Sequence, residues 1–374
     1  MKVTLDKSVL TNAVVWVSHM LQTKSTSPIR MGVLIIAQDE TVTLQSVGDD
    51  ASATCQIEAK VLEQGKILVS GKLLADISKL LPNKPVTITL DGSKALIKCG
   101  TSKFVLPTMN IDEYPSINDM PQILGTVDSQ SFFNLINQIK ISASKDDMIP
   151  VLSSVKIDFI GNKISMTTTD RFRLSKGELQ WNPKDENINI SVLIKAKNLY
   201  DIGRSLNNTG NISVGLNNNG EESTLIGFET VGQQIISSLR EGEYPRVDEL
   251  FPTQTPITAL VETKELIESI KRVGIVLNPN EPMTFNFDED AIILEAGSGD
   301  ETQASESISS NLNGETITVS FNPTFLLEGL SVLEAKYAKF FFNHPNKAIL
   351  IKGWSDENNE AVEEFKYLLM PVRK

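Results

Sequence analysis

Histidine and cysteine are almost missing from this chain. Only His19, His344, Cys55 and Cys99 occur among its 374 residues. Two cysteines make no disulfide framework, and neither histidine has Cys or His neighbours at zinc-ligand spacing. A reducing cytosol is the compartment expected of such a composition. Long apolar runs are missing too: nothing approaches the ~18 unbroken apolar residues of a membrane helix. The opening residues, MKVTLDKSVL, hold no apolar run suited to a signal peptide. Cations are also short. With 35 Lys and Arg against 47 Asp and Glu, the net charge is −12. Proteins that grip nucleic acid by covering phosphates are usually basic, because their affinity comes from Lys and Arg displacing counterions. Strong, general phosphate affinity is therefore excluded. Any handling of nucleic acid must be weak and local, or rest on something other than affinity.

Signatures of catalysis are absent as well. GKILVSGKL (65–73) misses a phosphate loop by one residue too many, with Leu73 where Ser or Thr would bind magnesium. Asp288, Glu289 and Asp290 form one acidic run, and Asp146 with Asp147 another. Two-metal catalysis needs acids converging from separate elements, so these runs read as solvated turns. No G-x-S-x-G offers a serine nucleophile. No catalytic residue, metal site or cofactor is expected.

What the chain does have is apolar content, length and repetition. Hydrophobic residues make up 40%, enough for real cores, and the length suits two or three domains of about 125 residues. Three segments share one pattern: VSGKLLADISKLL (69–81), IKAKNLYDIGRSL (194–206) and SFNPTFLLEGLSVL (320–333). Each runs from an apolar strand end through a polar turn to an acid, Asp76, Asp201 or Glu328. Leucines two positions before that acid (Leu74, Leu199, Leu326) and five after it (Leu81, Leu206, Leu333) put an apolar stripe on one helical face. The acids lie about 125 residues apart, a third of the chain. Each third also opens with a strand end, an acid and a helix: Leu5-Asp6 to Leu10, Val127-Asp128 to Phe132, and Val261-Glu262 to Leu266. An acid there suits the positive end of the helix dipole.

After the second helix come alternating strands: VTITL with ALIKC (86–99), ISVGL with TLIGF (212–228), and KFFF with AILIK (339–352). Turn residues such as Asp91-Gly92 and Asn219-Gly220 make these antiparallel hairpins. The fold class is α+β, with helices on one side of an antiparallel sheet in every third. Boundaries at NIDEYPSINDMPQ (110–122) and LFPTQTP (250–256) give domains 1–122, 123–253 and 254–374. A solenoid is the plain alternative, but a unit of about 125 residues buries its own core. Open sheet edges want partners, and pairing tail to head with a second chain would close such units into a ring.

The middle third departs from the other two. TLQSVGDDASA (43–53) and ILEAGSGDETQAS (293–305) place small, Gly- and Asp-rich residues after a strand, whereas MTTTDRFRLS (166–175) places Arg171, Phe172, Arg173 and Leu174 there. A difference between copies of one fold marks a place for special function. On the plain alternative, Phe172 and Leu174 only pack and the arginines are solvated.

TTDRFRLS, FNPTFLLEGL, EGEYPRV (241–247) and YLLMPVRK (367–374) together resemble the bacterial β sliding clamp family, the processivity subunit of the replicative DNA polymerase. The resemblance spans the whole chain. It implies three repeated clamp domains and a head-to-tail homodimer closed around duplex DNA. It also implies a peptide pocket, for the polymerase catalytic subunit, the clamp loader, and other polymerases and repair proteins. Carried over by position, that pocket takes Leu152, Thr169, Arg171, Phe172, Arg173, Leu174 and Pro245. From the last third it takes Asn322, Phe325, Met370, Pro371, Val372 and Arg373. Apolar and Met side chains suit varied partners, and Arg173, Arg373 and Asn322 could hold peptide carbonyls or acids. The chain departs from the commoner family pattern at Arg171, where a small residue is frequent, and at Phe172, often His or Tyr.

By the same resemblance, Phe104 and Leu106 would face Ile275 and Val276 across the dimer interface. Helical cations facing the DNA would be Lys24, Lys72, Lys79, Lys140, Lys145, Lys197, Arg204, Lys271 and Arg272. A closed ring stays on DNA by topology, so an acidic chain with weak inner contacts suffices. The protein would be cytoplasmic and nucleoid-associated during replication, with no membrane partner. Two other readings stand beside this one. A hydrolase on a three-domain scaffold predicts turnover that depends on the carboxylate runs; a monomeric peptide-binding scaffold predicts a single chain in solution.

Overall fold

A computed structural model describes residues 1–21, 27–217, 223–297, 302–356 and 365–373. Its α-helices fall where the repeat places them. The first of each third are α1 (Lys7–Ser18), α3 (Ser129–Ile139) and α5 (Thr263–Val273); the second are α2 (Gly71–Leu80), α4 (Ala196–Leu206) and α6 (Pro323–Ser331). Asp6 and Glu262 stand at the N-caps of α1 and α5 without a side-chain capping bond, so they act through the helix dipole. Capping bonds appear in the second set. Ser70 accepts from the Leu73 N–H, and Asn322 Oδ1 accepts from the N–H groups of Thr324 and Phe325 at 2.9 and 3.3 Å. Pro323 then occupies the first turn of α6, where a missing N–H costs nothing. The leucine stripes are the buried faces: Leu74, Leu199 and Leu326 are each at most 1% exposed.

By contact the chain falls into two compact units. One comprises Met1–Gln130, Trp181–Glu186 and Lys197–Leu239; the other Ser131–Gln180, Asn187–Ala196 and Arg240–Lys374. The first unit holds a five-stranded sheet in the order Lys60–Glu63, Lys2–Leu5, Val86–Asp91, Lys94–Cys99, Ser102–Pro107. It also holds a nine-stranded sheet ordered Asn182–Pro183, Ile123–Asp128, Asn211–Leu216, Leu225–Thr230, Gln233–Ser238, Ala51–Glu58, Thr41–Val47, Gly32–Gln38, Gly65–Ser70. The second unit is built on a twelve-stranded sheet. It runs Asn189–Lys195, Ser154–Ile160, Lys163–Thr169, Arg173–Gln180, Lys366–Leu369, Ile349–Trp354, Tyr337–Phe342, Ile257–Glu262, Ala304–Asn313, Ala291–Ala296, Met283–Phe287, Ile317–Phe321. The three hairpins foreseen after the second helices are present and antiparallel, although Asn219-Gly220 lies outside the described residues. The thirds carry more sheet than the sequence pattern suggested. The strands ahead of each second helix form a further antiparallel layer, as Gly32–Gln38, Thr41–Val47 and Ala51–Glu58 do in the first third.

One pairing rule recurs. In each third, a strand leads from the first sheet layer into the second, and another ends the second layer. In the first unit the leading strand Ala51–Glu58 pairs with the ending strand Gln233–Ser238 of the next third, in the register Ala53 to Ile235 and Cys55 to Gln233. In the second unit Arg173–Gln180 pairs with Lys366–Leu369 in the same way, Arg173 opposite Leu369 and Lys176 opposite Lys366. The rule leaves two edges over. Ser102–Pro107 ends its sheet, and residues 304–309 of Ala304–Asn313 pair on one side only, with Ala291–Ala296.

The second unit's core is aromatic: Phe287 meets Phe342 with centroids 4.9 Å apart, and Phe285 meets Phe321 at 5.4 Å. Nearby, α6 lies so close to the last strand that a Cβ on Gly329 would fall 2.3 Å from the fully buried Tyr367 ring. Backbone and ring cannot both yield there. Gly329→Ala should therefore lower the unfolding free energy by about 1–3 kcal/mol, read as a shift in the urea midpoint at unchanged slope.

Candidate functional site

MTTTDRFRLS is a strand, a tight turn and a second strand. Thr169 pairs with Leu174, leaving Asp170 to Arg173 as the turn. Asp170 builds it: Oδ1 accepts from the Phe172 and Arg173 N–H groups at 3.1 and 3.0 Å, and Oδ2 accepts from Arg173 Nε at 2.9 Å. Thr169 Oγ1 closes it by donating to the Arg173 carbonyl at 2.7 Å. The turn puts Arg171 at φ 79°, a left-handed backbone that costs a non-glycine residue on the order of 1 kcal/mol. Its side chain and that of Phe172 are thrown outward, Phe172 being 62% exposed.

Arg173 turns the other way. Its side chain is 2% exposed and forms a second ion pair, with Glu328 of α6, while its guanidinium carbon lies 4.2 Å above the Phe325 ring. Nε and Nη1 are thus engaged by Asp170 and Glu328, and Arg173 ties the turn to α6. Glu328 is the acid of the third repeat. Its counterpart Asp201 instead stands 3.7 Å from Arg204 of its own helix, so the repeat gave the acid but not its use. Asn322 spends its side-chain oxygen on the α6 cap.

The C-terminal residues complete the surface. Lys366–Leu369 adds to the strand Arg173–Gln180; then the Met370 N–H donates to the Phe172 carbonyl and the Val372 N–H to the Ser320 carbonyl, both at 2.8 Å. Tyr367 anchors them, its hydroxyl donating to the Phe325 carbonyl at 2.8 Å. Met370, 41% exposed, therefore stands beside Phe172, whose ring stacks on Phe325 at 6.4 Å, and Val372, 37% exposed, stands beside Ser320. Pro371 is half-buried and Arg373 exposed. Leu174, the residue after Arg173 along the strand, packs in an apolar cluster with Val247 and Leu368, flanked by Phe251, Ala348 and Leu350. Of these, only Leu174 was expected. The others come from strands and a turn with ordinary alternation, and nothing local marks them.

The remaining expected pocket residues are more distant. Leu152 is buried, and its carbonyl accepts from Ser144; the same loop carries Lys145, whose Nζ stands 3.7 Å from Glu328. Lys145 is thus in a loop near α6, not on a helix face. Pro245 lines an adjoining polar depression of about 220 Å³ with Lys156, Lys176, Tyr244 and Asp248. A larger cavity, about 640 Å³, opens beside the unpaired 304–309 edge and includes Leu277, Glu281, Glu295 and Ser305.

Of the helical cations, Lys24 lies outside the described residues. Lys72, Lys79, Lys197 and Lys271 are exposed, Lys140 is half-buried in a 3-10 turn, and Arg204 stands 3.7 Å from Asp201. Arg272 is ion-paired to Glu306 through two bonds of 2.5 and 3.0 Å. Burial, and then the charge of Arg204, hold the His19 imidazole below its ordinary pKa. Among the proposed interface residues, Phe104 is 37% and Ile275 82% exposed, and Val276 is half-buried. Leu106 is corrected, because at 3% exposure it belongs to its own domain's core; Val105, 53% exposed, is the apolar neighbour at the surface.

No group of metal-ligating side chains occurs among the described residues. The acidic runs have structural work. Asp288 Oδ1 accepts from the Glu289 N–H and the Asp290 backbone carbonyl from the Ser310 N–H, while Asp146 Oδ1 accepts from the Met148 N–H and Asp147 pairs with Lys195. Gly65–Ser70 is a strand running directly into α2, leaving no room for a phosphate loop.

Three family models match in succession. They are the N-terminal, central and C-terminal domains of the DNA polymerase III beta subunit, at residues 1–118, 126–246 and 248–373. The beta sliding clamp of Streptomyces coelicolor is 39% identical over 373 residues, covering 100% of this chain and 99% of its own. That of Micrococcus luteus is 39% identical over 308 residues, covering 82% of this chain and 98% of its own. In structure, the Bacillus subtilis DNA polymerase sliding clamp superposes with a TM-score of 0.91 at 24% identity, covering 100% of this chain and 99% of that one. A Pseudomonas aeruginosa sliding clamp solved bound to griselimycin also gives 0.91, at 20% identity, covering 100% of both chains. Three consecutive domain matches and a full-length relative at 39% identity leave one conclusion: the chain belongs to the DNA polymerase III beta subunit family, the bacterial β sliding clamps.

Proposed function

We propose that two copies of this chain close head to tail into a ring around duplex DNA, a non-catalytic processivity factor. The observation that carries this reading is the pair of leftover strand edges. Where the chain can pair a leading with an ending strand, it does so twice. The third such pair needs Ser102–Pro107 from one chain and residues 304–309 from another. An unsatisfied sheet edge is a liability that proteins remove by pairing or covering. A head-to-tail contact used twice around a two-fold axis satisfies both edges and closes. Three domains with boundaries near 122 and 253 go with this reading, as does the set of exposed helical lysines. At a net charge of −12 those lysines need only tune sliding.

The groove of Phe172, Met370, Val372 and the Leu174 cluster is then the docking place for an extended peptide. Its partners would be the polymerase catalytic subunit, the clamp loader, and other polymerases and repair proteins. Apolar floor and exposed Phe and Met suit a Leu-Phe anchor. Arg171 and Arg373, both exposed, are the cations left to meet acidic or carbonyl groups of the peptide. Arg173 supports the groove from below. The cytoplasm, at the nucleoid during replication, is the setting this function requires.

Three outcomes test the proposal. Charging the interface with Ile275→Asp and Val276→Asp should give folded single chains by sedimentation; a double variant that remains a dimer contradicts the ring. Deleting the chain from Met370 onward should leave the dimer intact while weakening a Gln-x-x-Leu-Phe peptide about 30- to 150-fold in calorimetry. Equal affinity would remove the C-terminus from the groove. Arg173→Ala should act differently, destabilising the fold by on the order of 3 kcal/mol because Asp170 and Glu328 lose a buried partner. Weakened peptide binding at unchanged unfolding free energy would instead return Arg173 to the peptide.

A further inference from the structure

The thirds repeat a helix contact as faithfully as they repeat the strand pairing. Ten residues beyond the acid that opens each first helix (Asp6, Asp128, Glu262) stand Trp16, Gln138 and Arg272. Four residues beyond the acid of each second helix (Asp76, Asp201, Glu328) stand Leu80, Ser205 and Val332. In the first unit, Trp16 Nε1 donates to the Ser205 carbonyl at 3.0 Å. In the second, Gln138 Nε2 donates to the Val332 carbonyl at 3.3 Å. Each time, the first helix of one third sends a side-chain N–H to the end of the second helix in the next third. Three residues further along α1, His19 Nδ1 meets Ser205 Oγ at 3.3 Å, and Ile275 holds the matching position after α5. One donor and one carbonyl are left over by this rule, Arg272 and the carbonyl of Leu80. The side chains of Ile275 and Leu80 are 82% and 85% exposed.

We propose that Arg272 of one chain donates through Nη1 to the Leu80 carbonyl of a second copy, with Ile275 packed against that copy's Leu80. This rests on the ring reading and adds the helix seam to it. The guanidinium is already aimed. Glu306 holds Nε at 3.0 Å and Nη2 at 2.5 Å, and Nη1 has Glu268 no closer than 3.9 Å. Glu306 lies on the unpaired 304–309 edge, so the strand that would receive the partner also orients the donor. A planar guanidinium fixed by one carboxylate keeps a donor free in a set direction.

The choice of residue fits the seam it serves. Trp16 and Gln138 are neutral donors in seams that a single chain makes for itself. The third seam joins separate chains and must part when a ring opens on DNA. An arginine there stays solvated and ion-paired while the chains are apart. On closure its charge meets the negative end of the α2 dipole, at the last residue of Gly71–Leu80.

Sedimentation of the full chain across a concentration series tests this. Arg272→Ala should raise the dimer dissociation constant about 10- to 100-fold, and Arg272→Gln, which keeps a donor as Gln138 does, should recover much of the loss. Lys271→Ala, an equal change in charge one residue away, should match the unaltered chain. If Arg272→Ala dimerises normally, or Lys271→Ala weakens the dimer as much, the seam is refuted while the ring stands. An unaltered chain that never dimerises refutes both. Cross-linking tests the apolar half, because Cys55 and Cys99 are buried. Chains carrying Leu80→Cys and Ile275→Cys should join into covalent dimers with a short bismaleimide. Failure to cross-link under conditions where the chain is dimeric would overturn that contact.

Discussion

Backbone hydrogen bonding at sheet edges is the constraint on which this structure depends. Every strand carries N–H and C=O groups on both sides, and those groups must find partners or water. Within each unit the chain meets that demand by one repeated move, pairing a leading strand with the ending strand of the next third. Repetition makes the exception informative. A fold that applies the same pairing twice and stops one short describes the surface its partner must present. Two exposed edges would otherwise invite aggregation.

The exposed surface of Phe172 and Met370 follows from the same pairing. Lys366–Leu369 pairs with Arg173–Gln180 because the rule requires it, and this carries the C-terminal residues onto the turn at Asp170. Met370 and Val372 are then fixed by backbone bonds to Phe172 and Ser320. Arg173 adds a buried electrostatic tie to Glu328. Breaking that tie strands charge, whereas replacing Phe172 or Met370 removes only exposed apolar surface. The proposed binding surface and the buried ion pair thus fall to adjacent residues facing opposite ways.

Much of this was legible in the sequence. Leucine spacing around Asp76, Asp201 and Glu328 located the second helices, and alternation located the hairpins that follow them, because both signals are local and periodic. The repeat and the departure at MTTTDRFRLS pointed to the turn. What the sequence did not disclose was non-local. Arg173 reads like Arg171, yet one side chain is buried and the other exposed, because Arg171 itself takes the left-handed position of the turn. Leu106 looks as apolar and available as Phe104, but the sheet turns it inward. Val247 and Leu350 meet Leu174 through contacts made far along the chain. Periodicity tells which face of an element is apolar, and it is silent on what that face meets.

Topology, not affinity, is the central claim for an acidic protein acting on a polyanion. It is tested most directly by loading the dimer onto a nicked circular duplex, isolating the complex by gel filtration, and cutting the DNA once. The account predicts that protein stays with the circle even at elevated salt and is lost when the circle is linearised. Equal retention on the circle and the linear duplex, falling steeply with salt, would show phosphate affinity in place of encirclement and contradict it.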